Sequence, residues 1–333
     1  MCVDGGFGLK RVLVTRAVPE FALQVLRDNV GVEVDCGYAP ESRDEFLSVV
    51  RDVHGLLVQP GDVIDAEVFG AAERLEIVSI IGVGYENVDV EAASRRGIPV
   101  AFTPVLQKTV AELTFALMLA LARGVVVADG YVRSGEWREP VPAVEMGTDL
   151  CGKTLGIVGL GRIGSEVAKR AKCFEMNVVY YDTVRDRRKE EEFGVRYVSL
   201  DELLSVSDYV SLHTPLTEET RHLIGARELE LMKPSAYLIN TSRGRVVDQR
   251  ALYDALVNNR IKGAALDVFE EEPIPADDPL LKLRNVVLTP HIGSATTETR
   301  MSMFLTAVEN LGQALRGERP RYLVNPEAVA EKR

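Results

Sequence analysis

Short runs of apolar residues alternate with amphipathic stretches through the first hundred residues of the chain. Five of these runs have the β-branched and aliphatic character of buried strands: RVLVT, VEVDC, GLLV, EIVSII and IPVAF. Each of the first four is followed by a helical pattern, such as PEFALQVLRDN after the first run. Strands and helices in alternation predict a parallel sheet with helices on both faces, and this first unit ends near Thr103.

A second alternating series follows a long apolar segment. This segment, TVAELTFALMLALARGVVVA from Thr109, is apolar nearly all round and predicts a buried helix. The strands predicted after it are KTLGIV, NVVYYD, YVSL, LIN, GAALDVF and NVVLTP. A last helical pattern, about Thr296 to Arg316, comes after this series is complete, so we expect it to return to the first domain.

The whole pattern predicts an α/β protein with two doubly wound parallel-sheet domains. Residues 104–293 form one domain, which is inserted into a domain made of residues 1–103 plus 294–333. The length of 333 residues suits about two domains. A composition of 46% hydrophobic and 27% charged residues suits a chain that buries sizeable cores.

Charge and cysteine usage narrow the function classes. The net charge of −11 argues against nucleic acid or anionic lipid as a partner, since both bind to protein surfaces rich in Lys and Arg. No segment reaches the ~18 uninterrupted apolar residues of a membrane span, and the chain does not begin like a secretory signal. The cysteines Cys2, Cys36, Cys151 and Cys173 lack zinc-site spacing, so we expect reduced thiols, no metal and a cytoplasmic location.

A glycine motif follows the first strand of the second series. VGLGRIG places Gly159, Gly161 and Gly164 in the pattern G-x-G-x-x-G, directly before the helical pattern SEVAKRAKCF. The glycines allow a tight turn, a close approach of the backbone to a pyrophosphate and close packing of helix against strand, and the helix amino terminus offers unpaired N–H groups. The motif predicts a dinucleotide site, and the alternative is a glycine-rich turn without a ligand.

The end of the next strand indicates which dinucleotide binds. NVVYYD ends in Asp182, where a carboxylate accepts hydrogen bonds from the adenosine ribose and meets a 2′-phosphate with like charge. The sequence therefore predicts NAD rather than NADP as cofactor. Three arginines just downstream, Arg185, Arg187 and Arg188, would relax that preference if they faced the ribose.

Two side chains near strand ends have the chemistry needed to reduce a carbonyl. His291 follows the last predicted strand, at the edge where open α/β sheets bind ligands. An imidazole donates and accepts protons near neutral pH, although a lone histidine at a strand end is more often structural. Arg243, in LINTSRGRVVD, also follows a strand and suits a carboxylate and a neighbouring carbonyl. Arg245 is its competitor, which we interpret as solvated.

Three consecutive glutamates follow the strand GAALDVF. Runs of acids are usually solvated loops, but Pro273 restricts the backbone of Glu272 towards the extended region at a strand end. A carboxylate beside an imidazole favours the protonated imidazole, so Glu272 is the candidate partner of His291. Glu270 and Glu271 are expected to face solvent and to be replaceable.

Eight segments resemble, in order and nearly end to end, the D-isomer-specific 2-hydroxyacid dehydrogenase family: GVGYENVDVEAASRRGIPV, VAELTFALMLALAR, VRSGEW, GKTLGIVGLGRIG, PLTEETRHLI, LMKPSAYLINTSRGRVVD, GAALDVFEEEP and NVVLTPHIGSAT. The resemblance implies a Rossmann domain that binds NAD, inserted into a flavodoxin-like substrate domain. It also implies catalysis by Arg243, Glu272 and His291 on a small 2-oxoacid.

The resemblance further implies which residues contact the ligands. The backbone amides of Val83 and Gly84, together with Arg243, would bind the substrate carboxylate, and Asp267 would bind the nicotinamide carboxamide. Other cofactor contacts would come from Gly159, Gly161, Arg162, Ile163, Gly164, Asp182, Thr214, Pro215, Thr241 and Gly293. The remaining histidines, His54, His213 and His222, match no catalytic position and are interpreted as structural.

Within the family, RPRYLVNPEAV and VRSGEW look most like glyoxylate/hydroxypyruvate reductases. The loop VQPGDVI has no cation to hold a phosphate, which disfavours the alternative, a phosphoglycerate dehydrogenase. The loop TPVLQKTVAE is one residue shorter than usual and contains Lys108, which leaves substrate preference open. NAD-sensing corepressors of the same fold are the alternative of another class. The long apolar helix and GYVRSGEW suggest a homodimer through the NAD domain.

Overall fold

A computed structural model of the chain describes residues 9–37, 42–59, 61–140 and 145–329. The chain divides into two compact units. Unit 1 comprises Met1–Leu106 and Ala295–Arg333, and unit 2 comprises Gln107–Ser294.

The strands of the described residues are, in chain order, β1 Arg11–Val14, β2 Glu33–Cys36, β3 Gly55–Val58, β4 Ile77–Ile80, β5 Val100–Ala101, β6 Thr154–Val158, β7 Asn177–Tyr181, β8 Arg196–Tyr197, β9 Tyr209–Leu212, β10 Tyr237–Asn240, β11 Gly263–Leu266 and β12 Val286–Leu288. Unit 1 contains β1 to β5, and unit 2 contains β6 to β12.

The α-helices of the described residues are α1 Glu20–Val30, α2 Arg43–Val49, α3 Ala66–Ala71, α4 Val90–Arg95, α5 Gln107–Ala122, α6 Val125–Arg133, α7 Arg162–Cys173, α8 Arg187–Phe193, α9 Leu200–Val206, α10 Ala226–Leu231, α11 Gln249–Val257 and α12 Thr297–Leu315. Short 3₁₀ turns occur at Val50–Asp52, Gly244–Val246, Pro279–Lys282 and Pro326–Val329.

The sheet of unit 1 has the strand order β2-β1-β3-β4-β5, and its strand pairs are parallel. This is the doubly wound order found in flavodoxin-like sheets. Both β3 and β4 are buried along their whole length, because helices cover the two faces of the sheet. The fold class predicted for the first series of strands is therefore confirmed.

The last helix, α12, packs against α1, β3 and β4 of unit 1. Ser79 on β4 donates a hydrogen bond to the carbonyl of Ala307 over 2.8 Å. The chain after α12 covers the edge strand β5, where the Val324 amide donates to the Val100 carbonyl over 2.8 Å. Asn325 accepts in turn from the Val100 amide over 2.7 Å. Covering an edge strand in this way satisfies its backbone groups.

The sheet of unit 2 has the order β12-β11-β10-β9-β6-β7-β8, and its strand pairs are parallel. The direction of winding reverses between β6 and β9, the position where doubly wound sheets bind ligands. Successive side chains face opposite cores, so that Leu238 on β10 packs into one and Ile239 into the other. The run YVSL occurs twice, at residues 197–200 and 209–212; the edge strand β8 ends at the start of the first copy, and β9 is the second.

The long apolar segment from Thr109 is two helices rather than one. α5 ends at Ala122, and Gly124 adopts a left-handed conformation with φ 58° before α6 begins. α5 is largely buried, as predicted. In α6, Val125, Val126 and Val127 are each more than half exposed within the single chain. Among the described residues, no single helix has the length and hydropathy of a membrane span, and α5 with α6 reaches them only as a pair bent by 61°.

Candidate active site

The glycine turn lies between β6 and α7. Gly159 has φ 92°, and a Cβ there would come within 2.9 Å of the His213 carbonyl oxygen. A Cβ on Gly164 would overlap the carbonyl oxygen of Gly159, whereas a Cβ on Gly161 would meet no atom within 4 Å. Gly159 and Gly164 are therefore required by packing, and the space in front of Gly161 is open.

Helix α7 begins without a side-chain cap, because its N-cap residue is Gly161. The first residues of the helix are Arg162 and Ile163, whose amide groups have no acceptor within the helix. Helices α8, α9 and α11 of unit 2 have capping side chains, as Asp248 caps α11 by accepting from the Ala251 amide over 2.9 Å, whereas α6 and α10 also begin at a glycine without one. An uncapped helix start beside open space is suited to binding a phosphate group.

Asp182 lies directly after β7 and borders a cavity of about 510 Å³. One of its carboxylate oxygens accepts from the Leu160 amide over 2.8 Å, which fixes the side chain beside the glycine turn. The cavity is also lined by Gly161, Arg187 and Lys189. The strand end, the turn and the carboxylate predicted from separate parts of the sequence therefore share one cavity.

The cations near Asp182 are held in different ways. Arg185 pairs with Glu190 through two hydrogen bonds of 2.7 and 2.8 Å, and this pairing lowers the pKa of Glu190. Lys189 donates to the Leu160 carbonyl over 2.6 Å. Arg187 and the paired Arg185 both line the cavity, while Arg188 does not.

Two polar side-chain atoms at the end of β9 are buried without a hydrogen-bond partner among the described residues: His213 Nδ1 and Thr214 Oγ1. Both residues stand beside Gly159, the first through its carbonyl and the second through its methyl group. Part of His213 reaches the surface, but the burial of its ring lowers its pKa to about 3 and keeps it neutral. An unpartnered hydroxyl beside the glycine turn fits a dinucleotide that brings its own polar groups.

Arg243 begins the 3₁₀ turn after β10, half-buried at the carboxyl edge of the sheet. Its guanidinium donates to the Ser242 carbonyl over 2.8 Å, and Asn240 donates to the Arg243 carbonyl over 2.9 Å. A Cβ on Gly244 would overlap the carbonyl oxygen of Phe269, so the loop after β10 lies directly against the loop after β11. This contact brings the neighbourhood of Arg243 next to the acidic run.

Glu272 and His291 are joined by a hydrogen bond of 2.6 Å between Glu272 Oε2 and His291 Nδ1. The other carboxylate oxygen accepts from the Phe269 amide over 3.0 Å. Partial burial opposes ionisation of Glu272, but the hydrogen bonds from His291 and Phe269 outweigh it, and with the Arg243 charge they lower the pKa of Glu272. The structure thus contains the predicted pair of Glu272 and His291. Both side chains are partly exposed, and the Glu272 carboxylate is ionised.

Asp267 is 1% exposed and anchors the turn that carries His291. Its carboxylate accepts from Thr289 Oγ1 over 2.7 Å and from the Ile292 and Gly293 amides over 2.8 Å each. His291 itself has a left-handed backbone with φ 52°. Three hydrogen bonds to one buried carboxylate hold that conformation, which non-glycine residues rarely adopt.

Glu270 does not face solvent freely, and the expectation for this residue is wrong. Its carboxylate lies 2.8 Å from His222 Nε2 and accepts from the Gln249 amide over 3.1 Å. Sequence reasoning missed this network because its members belong to three separate loops. The neighbouring Glu271 is exposed, as expected.

The other predicted positions take varied roles. In unit 2, Thr241 is buried and its hydroxyl lies 3.1 Å from that of Thr114, while Pro215 is exposed. In unit 1, Val83 and Gly84 follow β4, and neither amide donates a hydrogen bond to another described residue. The structure also shows a cation that the sequence did not suggest: Arg16, in the loop after β1, pairs over 3.0 Å with Asp62 in the loop after β3.

His54 and the cysteines behave as structural or solvent-exposed groups. His54 Nδ1 accepts from the Arg11 amide over 3.1 Å, and burial lowers the pKa of this histidine. Cys36, Cys151 and Cys173 are free and exposed, whereas Cys2 lies outside the described residues. Across the described ranges, no cluster of three His, Cys, Asp or Glu residues could hold a metal ion.

Comparison with known proteins decides the family. Residues 115–293 match the family described as D-isomer specific 2-hydroxyacid dehydrogenase, NAD binding domain. The chain is also 53% identical over 321 residues to a glyoxylate reductase of Korarchaeum cryptofilum, covering 96% of this chain and 97% of that protein. The chain belongs to the D-isomer-specific 2-hydroxyacid dehydrogenase family.

Solved structures of related enzymes have the same fold as this dehydrogenase. A glyoxylate reductase from Paecilomyes thermophila matches with a TM-score of 0.87 and 33% identity, covering 96% of this chain and 99% of that one. An NADPH-dependent glyoxylate/hydroxypyruvate reductase from Sinorhizobium meliloti, in complex with NADP and malonate, matches with a TM-score of 0.86 and 32% identity, covering 98% and 100%.

Family membership confirms the predicted class of reaction. This dehydrogenase is an oxidoreductase with a nicotinamide cofactor, and NAD is the cofactor of the matched family domain. The open space at Gly161, the uncapped start of α7 and the unpartnered Thr214 hydroxyl fit that cofactor. The predicted α/β architecture, with a Rossmann domain for NAD, is confirmed as well.

Proposed function

We propose that this dehydrogenase reduces glyoxylate and hydroxypyruvate with NADH and oxidises the corresponding D-2-hydroxyacids in the reverse direction. The observation that carries the proposal is the 2.6 Å pair of Glu272 and His291 at the carboxyl edge of the sheet, with Arg243 beside the same loop. The names of related enzymes, glyoxylate reductase and glyoxylate/hydroxypyruvate reductase, support these two substrates.

His291 is proposed to exchange the proton at the substrate oxygen. Its Nδ1 is engaged by Glu272, which leaves Nε2 to donate a proton to the carbonyl oxygen during reduction. Glu272 is ionised at neutral pH, because its pKa is lowered, and its carboxylate holds Nδ1 of the imidazole in place. In the reverse direction Nε2 takes the proton from the hydroxyl group. When bound, the dinucleotide supplies or accepts the hydride at the carbonyl carbon.

Arg243 is proposed to bind the substrate carboxylate and to polarise the carbonyl. A guanidinium offers two parallel donors to a carboxylate, which fixes the 2-oxoacid in one orientation. The amides of Val83 and Gly84 are proposed to bind a substrate carboxylate, since they have no acceptor among the described residues. The charge of Arg16, in the loop after β1, is balanced by Asp62 in the loop after β3, which supports a small substrate without a phosphate.

The cofactor contacts are proposed as follows. The amides of Arg162 and Ile163 bind the pyrophosphate in front of Gly161, and Asp182 accepts hydrogen bonds from the adenosine ribose. Thr214, Pro215 and Thr241 border the middle of the dinucleotide, and Asp267 with Gly293 borders the nicotinamide. Asp182 opposes a 2′-phosphate by like charge, so we propose NADH over NADPH, with Arg187 moderating the preference.

The assembly and location are proposed from the surface of unit 2. The exposed side chains of Val125, Val126, Val127, Val132 and Trp137 form an apolar surface along α6 and the residues after it. An apolar patch of this kind marks an association surface, and a homodimer would cover it. The three exposed free cysteines suit a reducing compartment, which supports a cytoplasmic location.

A substrate screen tests the proposal. NADH oxidation is followed with glyoxylate, hydroxypyruvate, pyruvate, phenylpyruvate and phosphohydroxypyruvate, and we expect the highest kcat/KM with the first two. The product from hydroxypyruvate should be D-glycerate, which a chiral separation identifies.

The alternatives predict different outcomes of the same screen. Preference for phosphohydroxypyruvate would favour a phosphoglycerate dehydrogenase. If no substrate led to NADH oxidation although the protein still bound NADH, the enzymatic proposal would be overturned and an NAD-sensing binding protein would be favoured.

A further inference from the structure

We propose that Glu270 and His222 are positioning residues, which hold the loops of Arg243 and Glu272 in the geometry that the reaction needs. This inference rests on the proposed function. It concerns a pair of side chains that touch none of the three catalytic candidates directly, in a run of acids where a replaceable surface residue is expected.

Glu270 connects its own loop to the start of α11. Its carboxylate accepts from the Gln249 amide over 3.1 Å, and its own amide donates to Gln249 Oε1 over 3.1 Å. Gln249 is the first residue of α11, where a helix favours a negative charge. The reciprocal pair of hydrogen bonds therefore fixes both the backbone and the side chain of Glu270.

Gln249 holds the same loop at a second point. Its Nε2 donates to Asp278 Oδ2 over 2.7 Å. Glu272 lies on the chain between Glu270 and Asp278, so the segment with the candidate partner of His291 is anchored on both sides. Removal of the Glu270 anchor would release the side nearer to Glu272.

Glu270 also touches the loop of Arg243. The Arg245 guanidinium donates to the Glu270 carbonyl over 3.2 Å, and Gly244 packs against the carbonyl of Phe269 without room for a Cβ. The loops after β10 and β11 therefore cannot shift independently where they meet. A change in the position of Glu270 would move both the carboxylate and the guanidinium of the site.

His222 completes the arrangement from a third loop. Its amide donates to the Arg245 carbonyl over 2.8 Å, and its Nε2 lies 2.8 Å from Glu270 Oε1. The residue has a left-handed backbone with φ 51°, which is uncommon outside glycine. Such conformations persist only where the surroundings fix them, and this one places the imidazole against Glu270.

The experiment compares Glu270→Ala, Glu270→Gln and Glu271→Ala. Glu271 is adjacent and exposed, so its variant is the matched control and should stay within about twofold of wild type. For Glu270→Ala we expect kcat with glyoxylate to fall about tenfold and KM for glyoxylate to rise, because misplaced groups lose rate steeply. Its activity–pH profile should shift towards that of Glu272→Gln, while KM for NADH stays unchanged. Glu270→Gln keeps an acceptor for Gln249 and should recover most of the rate.

The variant His222→Asn tests the inference independently if Glu270→Ala does not fold. His222→Asn removes the imidazole with a residue that tolerates the left-handed backbone, and the same loss in kcat is expected. Wild-type kcat, KM and pH profile in Glu270→Ala, or in His222→Asn where Glu270→Ala does not fold, would overturn the inference whatever the change in melting temperature. If Glu272→Gln were also fully active, the proposed function itself would fail, so the two failures are distinguishable.

Discussion

At the scale of single residues, three consecutive glutamates have three different environments. Glu270 pairs with His222, Glu271 is exposed, and Glu272 pairs with His291. Sequence reasoning identified Glu272 because Pro273 and the strand end are visible in the linear chain. It could not identify Glu270, because the partners of this residue lie on loops that only the folded sheet brings together.

Acidification is predicted to weaken the contribution of Glu272 to stability. The folded-state pKa of Glu272 lies below its ordinary value of 4.5, so the pair with His291 stabilises the protein above that pH and loses its effect as pH falls through the folded pKa. Urea unfolding of wild type and Glu272→Gln at several pH values measures this. The stability difference should be constant near neutrality and shrink below about 4.5, and a difference that grows on acidification would contradict the assignment.

At the scale of elements, the glycines between β6 and α7 have different functions. Packing requires some of them, and one leaves space for a ligand. The sequence predicted that the three glycines serve a tight turn, a close approach to the pyrophosphate and close helix–strand packing. In the structure Gly164 has no room for a Cβ, and Gly161 has open space. The same scale shows the limits of pattern reading. The apolar run that predicted one buried helix is broken at Gly124, and hydropathy alone did not show that α6 would be exposed.

Alanine substitutions at Gly161 and Gly164 are predicted to change different properties: the affinity for NADH at Gly161 and the stability of the protein at Gly164. Gly161→Ala should keep the wild-type melting temperature and raise KM for NADH about tenfold, which corresponds to about 1.4 kcal/mol. Gly164→Ala should destabilise the protein by about 2–3 kcal/mol, because its methyl group would overlap the Gly159 carbonyl. Thermal unfolding and NADH titration of both variants separate the effects. Loss of stability in Gly161→Ala with normal NADH affinity would contradict this division.

At the scale of the whole molecule, the alternation of strands and helices was enough to predict two parallel sheets. Continuous apolar runs such as GLLV and YLIN become strands buried on both faces, so the pattern and the fold have the same physical cause. The apolar surface of α6 is the exception, since its exposure has no explanation within one chain.

The α6 surface is predicted to be a dimer interface. Wild-type protein should sediment as a dimer at micromolar concentration, and the double variant Val126→Asp, Val132→Asp should dissociate, because two charges in an apolar interface are costly to bury. Val257→Asp, on the exposed end of α11, is the matched control and should remain dimeric. A monomeric wild type, or a charged variant that stays dimeric, would refute this interface.

The kcat of His291→Ala with glyoxylate, measured under saturating NADH, tests the central claim most directly. His291 is proposed to transfer the proton at the substrate oxygen, so its removal should lower kcat roughly a hundredfold to ten-thousandfold. The affinity for NADH, titrated by fluorescence, should stay at the wild-type value, because the glycine turn and Asp182 are untouched. A variant that binds NADH normally and retains wild-type kcat would contradict the account.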